Sequence, residues 1–375
     1  MSNEVCEQKR QKVRKVWDFS PDIGTPVLAA MSGWLFSSMG VNAYDAYHDY
    51  KLLEKTVADF FEQYDFDCTT NSFSNYAFPV VDALGGGNYK IDRETGALSV
   101  LDNNFIFPED YEEAAKDIYK FNKKAFARKF PNMTTEKFGK AMSLFLEFGQ
   151  FSARNLAFWT DTVNLPMMYD STRMIMPTLE ILNASTRGIK DLSIDIRRHK
   201  EALKKYIDAY WDQMFSKSLA AAKMSPDKTH VSDISTSMLA HSILNVKQFE
   251  ELYWPQMKQV VDAAVECGYR YYVLSEAQFE RFADFVRDVP KGTMLIYVEQ
   301  DDLPEMRNKL PNIALAGGVP TTLLGYATPE RVYEYTKELA DKMGPGFAVA
   351  TDKVLAYAND AKKETLTAMI SAVRN

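Results

Sequence analysis

Cysteine is scarce. Cys6, Cys68 and Cys267 are the three in 375 residues, widely separated and with no CxxC or HxC spacing, which speaks against a disulfide framework. A reducing compartment, and with it a cytoplasmic location, is the expectation. No uninterrupted run of about 18 apolar residues is present to cross a bilayer. The nearest stretch, VLAAMSGWLFSSMGV from Val27 to Val41, is broken by serine and glycine and follows Asp18, Pro21 and Asp22. It reads as a strand with its loop rather than a signal segment. Positive charge is in deficit: 44 Lys and Arg against 51 Asp and Glu leave a net charge of −7, which removes nucleic acid from the expected partners. The basic run KRQKVRKVW at 9 to 17 reads as a solvated end. Gly85, Gly86 and Gly87 are followed by neither GK[ST] nor GxGxxG, so they indicate a turn and not a phosphate cradle. Internal repeats, low-complexity tracts and flexible linkers are absent.

What remains is the composition of an ordinary globular chain, 46% hydrophobic and 25% charged. Short apolar runs at 272 to 274, 294 to 298, 313 to 318 and 347 to 351 end in Ser, Glu, Gly or Thr. They read as buried parallel strands. Amphipathic patterns at 247 to 266, 277 to 287, 302 to 309, 329 to 343 and 361 to 373 fall between or after them and predict helices, with Thr328, Pro329 and Glu330 opening the fourth. Four such units in about 100 residues suit a barrel, although a doubly wound open sheet has the same local pattern. The first half is less regular. A helix over 48 to 67 runs into a strand ending at Cys68 or Thr70, a glycine-rich hairpin follows, and two long helices occupy 109 to 128 and 134 to 151. One domain over 1 to 375 is expected, with 72 to 150 as an excursion.

In a barrel of this kind the carboxyl ends of the strands and the loops after them converge on one face. That rule selects Ser237 and His241, Ser275 and Glu276, Glu299 to Asp302, Gly317 and Gly318, and Thr351 and Asp352. Glu276 is the most pointed, because a carboxylate directly after a buried strand must be paired, metal-bound or active in proton transfer. The alternative is a salt bridge to a residue such as Arg281, or a helix cap. His241 can serve as an acid, a base or a ligand, or as a structural hydrogen-bonding group. Trp34, Phe36, Tyr44 and Tyr47 cluster after the first strand, where Trp34, Tyr44 and Tyr47 are candidates to stack on a planar substrate. Asp301 and Gly318 complete the candidate substrate contacts.

Three segments in fixed order, QFEELYWPQMKQVVDAAVECGYRYYVLSEAQFERF, IALAGGVPTTLLGYATPERVYEYTKELADKMG and NDAKKETLTAM, resemble the uroporphyrinogen decarboxylase superfamily and within it the corrinoid-linked methyltransferases. STRGIKDLSIDIRRHKEAL at 185 to 203 is similar to the superfamily's segment of Arg-Gly, a short strand and Asp-x-Arg-Arg. The resemblance implies a single (β/α)8 TIM-type barrel with an N-terminal helical and hairpin excursion. It also implies methyl transfer from a small methylated molecule, such as a methoxylated aromatic, to cob(I)alamin on a partner corrinoid protein, and a homodimer. Many members carry Glu-Gly where this chain has Glu276 and Ala277. The family's zinc motif, His-x-Cys and a later Cys, falls instead on LSEA at 274 to 277 and on Thr351 or Asp352. Any zinc would therefore be held by oxygen and imidazole, from Glu276, His241 and Asp352. The arginine cluster that grips a porphyrinogen's carboxylates is missing. A decarboxylase or lyase acting on a smaller substrate, or a non-catalytic ligand or corrinoid-protein binder, are the rival readings.

Overall fold

The computed structural model describes residues 2–74, 76–101 and 104–374. Its centre is a five-stranded parallel sheet in the order β5 (Ile234–Met238), β6 (Tyr271–Ser275), β7 (Met294–Val298), β8 (Ala314–Val319) and β9 (Phe347–Thr351). Two short strands, β1 (Leu28–Ala29) and β2 (Cys68–Thr69), form a second parallel pair. Isolated parallel bridges join Val27 to Val349, Thr69 to Met167, and Met174 to Ser235.

Alternation along the strands divides the buried residues into two clusters, as a pleated strand requires. Tyr272, Leu295, Tyr297, Ala314, Ala316, Ala348 and Ala350 pack with Leu28, Cys68 and Met168. Their neighbours Tyr271, Val273, Ile296, Leu315 and Val349 join the larger cluster under the helices. On the first face the tyrosines of β6 and β7 meet the alanines of β8 and β9, so large and small side chains share one limited volume. That face is closed at the strands' amino-terminal ends by Val13, Val16 and Trp17, which follow or end the helix Ser2–Arg14. Arg14 Nη1 donates to Val231 O at 2.6 Å, and Trp17 Nε1 to Tyr271 O at 3.3 Å. The basic run at 9 to 17 is thus partly a plug and not simply a solvated end.

Several local expectations give way to chemistry. The segment after Arg187-Gly188 is a helix, Ile189–Arg198, with no strand in it. Its apolar residues Leu192 and Ile196 recur at helical spacing and are buried together. The helix expected over 247 to 266 divides into Val246–Leu252 and Trp254–Cys267, because Pro255 has no N–H to continue the first ladder and instead opens the second. The pattern at 277 to 287 holds only a 3-10 turn, Glu280–Phe285.

Between β2 and β5 lie the antiparallel hairpin β3 (Tyr89–Ile91) and β4 (Leu98–Val100), and a 23-residue helix, Thr135–Ala157, that packs on Phe78–Leu84. Gly85 ends the latter helix at φ +94°, the left-handed turn that glycine permits. A buried pair ties this region to the rest: Arg187 Nε and Nη2 donate to Asp195 at 2.7 and 3.2 Å, and Tyr111 Oη donates to the same carboxylate at 2.7 Å. Asp195 is fully buried, so losing it strands a guanidinium and a phenol together. Asp195→Ala is expected to cost about 3–5 kcal/mol. Urea denaturation checks this; a cost below about 1 kcal/mol would mean water replaces the carboxylate.

Candidate functional site

The carboxyl ends of β6, β7 and β9 each lead into an acid: Glu276, Glu299 and Asp352. By strand parity Glu276 continues the row of Tyr272, and Glu299 the row of Leu295 and Tyr297, so both carry the tyrosine face onward beyond the last paired residues. Glu276 is half-buried. Its backbone N–H donates to Met238 O at 2.9 Å, and Ser237 Oγ lies 3.5 Å from its Oε1. Burial pushes the Glu276 carboxyl up to about 7, the nearby charge of Glu180 adds to the rise, and Ser237 opposes it. Glu299 is likewise pushed up to about 7, by burial first and by the charge of Glu276 second.

The two acids are linked through the residue between them in the loop. Ala277 sits at φ +64° and donates its N–H to Glu299 Oε2 at 3.2 Å. A left-handed conformation strains any residue with a Cβ, so this is a position that glycine would favour. Two phenols from the segment between β2 and β4 approach the same place. Tyr76 and Tyr89 pack at 5.1 Å between ring centroids, and both hydroxyls are raised, chiefly by burial and in part by the charge of Glu276.

Glu180 stands behind this cluster on the helix Thr178–Ile181 and is 2% exposed. It accepts from Leu239 N–H at 3.0 Å, from Ala240 N–H at 3.0 and 3.1 Å, and from Tyr253 Oη at 2.7 Å. Burial nonetheless pushes it up to about 7. The sequence carries a signal for it: a lone acid inside the apolar stretch MIMPTLEIL. No comparable signal marks Tyr76 and Tyr89, whose approach depends on how the segment after β2 folds back.

His241 takes the other side of β6. It is fully buried, its Nε2 lies 3.4 Å from Ser275 Oγ, and it stands edge-on to Phe279 and Phe282. Ser275 and Glu276 are consecutive strand residues, so their side chains leave on opposite faces. Burial and the positive charge of Arg281 hold the imidazole down at about 4. Arg281 itself donates to the carbonyls of His241 and Ser242 and not to Glu276.

The remaining candidates are engaged elsewhere. Asp301 accepts from Phe279 N–H and Glu280 N–H at 2.7 and 3.1 Å, capping the 3-10 turn. Asp352 accepts from Thr321 N–H at 2.9 Å, and its charge contributes to the rise at Glu299. A Cβ on Gly318 would stand 2.4 Å from Leu303 Cδ1, in the helix layer. Trp34 is core: it donates to Ala361 O at 2.9 Å and meets Phe60 edge-on. Tyr47 is buried edge-on between Phe36 and Phe78. Tyr44 stacks on His48 at 3.9 Å and accepts from Arg93 Nε, forming a separate surface group.

Glu276, His241 and Asp352 form no ligand set. Among the described residues, the group whose ligand atoms all lie within 4.8 Å of one another is Asp170, Asp227 and His230. It precedes β5, at the opposite end of the sheet from Glu276, and Asp227 is already occupied by the Thr229 and His230 N–H groups and by His230 Nδ1.

No family model and no curated protein matches the sequence. A methyltransferase from Methanosarcina mazei has a similar structure, with a TM-score of 0.62 over 97% of each chain at 12% identity. At that identity the likeness is one of fold. No described helix is long and apolar enough to cross a membrane.

Raised carboxyl groups have a definite linkage sign. Glu276 and Glu299 ionise near 4.5 in the unfolded chain and about 7 in the folded one, so their favourable contribution is complete below pH 4.5 and is lost as pH rises through 7. Glu276→Gln is therefore expected to raise the melting temperature relative to wild type at pH 8 and not at pH 4.5; a pH-independent difference would contradict the burial argument. Ala277→Gly, which removes the left-handed strain at some cost in chain entropy, is expected to stabilise by up to about 1 kcal/mol in urea melts. A loss of stability would contradict the strain.

Proposed function

We propose that this protein is a methyltransferase that uses a closed (β/α)8 barrel of the uroporphyrinogen decarboxylase type to move a methyl group from a small methylated oxygen compound to cob(I)alamin carried by a partner corrinoid protein. The parallel pairing from β5 to β9, with bridges onward to Val27 and back through Met167 and Met174 to Ser235, supports the barrel reading. The methyltransferase neighbour, aligned over almost the whole chain, supports the class of reaction. A methoxylated aromatic fits the phenols at the site, which offer ring faces and hydroxyls beside the acids. A second copy of the chain and a cytoplasmic setting accompany this reading.

The observation that carries it is the pair Glu276 and Glu299, two acids held near neutrality at the carboxyl ends of adjacent strands. Breaking a methyl–oxygen bond leaves the electron pair on oxygen, and an alkoxide or phenoxide is a poor leaving group. A protonated carboxyl that delivers its proton to that oxygen as the methyl passes to the acceptor lowers the barrier, typically by 10²–10⁴-fold in rate. Glu276 is the proton donor in this scheme. Glu299 fixes its loop through Ala277 N–H, and burial with the charge of Glu180 keeps Glu276 protonated near pH 7. His241 supports the strand from behind through Ser275. The oxygen and imidazole ligands required for zinc do not converge, and no step is assigned to a metal ion.

The test is methyl transfer to free or protein-bound cob(I)alamin from a panel of methoxyarenes, followed by the loss of the Co(I) spectrum. Turnover is expected to fall off above about pH 7, with the ionisation of Glu276, and Glu276→Gln to lower it by at least about 100-fold. Wild-type activity in that variant would remove Glu276 from the mechanism. Release of carbon dioxide from an acid substrate would favour the lyase reading, and partner binding without turnover the binder.

A further inference from the structure

In a chain with a net charge of −7, one open cleft of about 370 Å³ has no carboxylate among its lining residues. Arg197, from the last turn of Ile189–Arg198, and Arg281, from the 3-10 turn after β6, both line it, with Ser242 beside them. Ile243, Leu244 and Val246 supply an apolar wall. Asn245 and Gln248 also line the cleft, but they are committed to each other's backbone in the cap of Val246–Leu252.

The two guanidiniums differ in how they are held. Arg281 is fixed: its Nη2 donates to His241 O at 3.1 Å and Ser242 O at 2.8 Å, and its guanidinium lies over the Phe282 ring at 4.8 Å. Both arginines are exposed, and neither forms an ion pair among the described residues. Two like charges that share a cleft repel one another unless an anion lies between them. Elsewhere in this chain Arg187 finds Asp195 and Arg14 finds Asp233.

We propose that this cleft binds a phosphate monoester, its phosphate between Arg197 and Arg281 and its organic body on the wall of Ile243, Leu244 and Val246. A phosphate dianion matches two guanidiniums in charge; Arg197 can meet paired oxygens with its planar fork, and Arg281, whose Nη2 is given to two carbonyls, can meet a further oxygen through Nη1. Ser242, which lines the same cleft, carries a hydroxyl that can donate to a third oxygen. The volume suits a small ligand and not a macromolecular segment. The site lies outside the carboxyl pair: neither Glu276 nor Glu299 lines it, and its occupancy does not depend on the reaction assigned to them.

Calorimetric titration with inorganic phosphate, phenyl phosphate and benzoate tests the proposal on the intact chain. Phenyl phosphate is expected to bind most tightly, because it alone engages both the arginines as a dianion and the apolar wall. Arg197→Ala, at an exposed position that the fold does not use, is expected to weaken it at least tenfold with an unchanged melting temperature. Arg281→Lys, which keeps the charge and loses the Nη2 bonds that hold it beside the cleft, is expected to weaken it too. Failure of phenyl phosphate to saturate by about 10 mM would overturn the proposal. So would equal affinity in Arg197→Ala, or benzoate binding as tightly as phenyl phosphate.

Discussion

The site depends on the burial of carboxyl groups in a place where neither an arginine nor a lysine is available to neutralise them fully. Glu180, Glu276 and Glu299 all sit where ionisation is costly, and each lacks a salt bridge among the described residues. The surrounding structure supplies hydrogen-bond donors instead: Leu239 N–H, Ala240 N–H and Tyr253 Oη for Glu180, Ala277 N–H for Glu299, and Ser237 Oγ at the limit of reach for Glu276. Donors become fewer from Glu180 to Glu276, so the acid nearest the phenols is the least satisfied. An acid in that condition is suited to exchanging a proton.

Several features of the fold follow from holding these groups in place. The left-handed Ala277 turns the chain so that Glu276 continues the tyrosine face of β6 while Ala277 N–H points to Glu299. Strain of this kind persists only where its surroundings over-determine it, and here the Glu299 bond and the capping of the 3-10 turn by Asp301 fix the loop on both sides. The helix Ser2–Arg14 and Trp17 close the far end of the strands, away from the acids.

The second half of the chain was legible because its strands are buried on both faces and read as continuous apolar runs: 294 to 298 and 347 to 351 stand where periodicity puts them. The first half was less so. The strands expected near Val27 and Cys68 are there as β1 and β2, but no local pattern brings Tyr76 and Tyr89 to the acids; in the second half, Pro255 redirects a helix whose pattern continues on both sides. Glu276 could be singled out by its position after a strand, since an acid there needs a reason. His241 follows the same positional rule, yet the loop after β5 turns it into the aromatic layer under Phe279 and Phe282, a packing decision that no local pattern records. Trp34 and Tyr47 were drawn into the core by the same preference for burying large rings.

The central claim is that Glu276 and Glu299 retain a proton near neutral pH, and it is tested most directly by a carboxyl infrared titration of the folded protein. Wild type should show a protonated carboxyl band that disappears with an apparent midpoint near 7, and Glu276→Gln should lose part of that band. If every carboxyl in the wild-type spectrum titrates below pH 5, or if the band near neutrality survives unchanged in both Glu276→Gln and Glu299→Gln, the account is wrong.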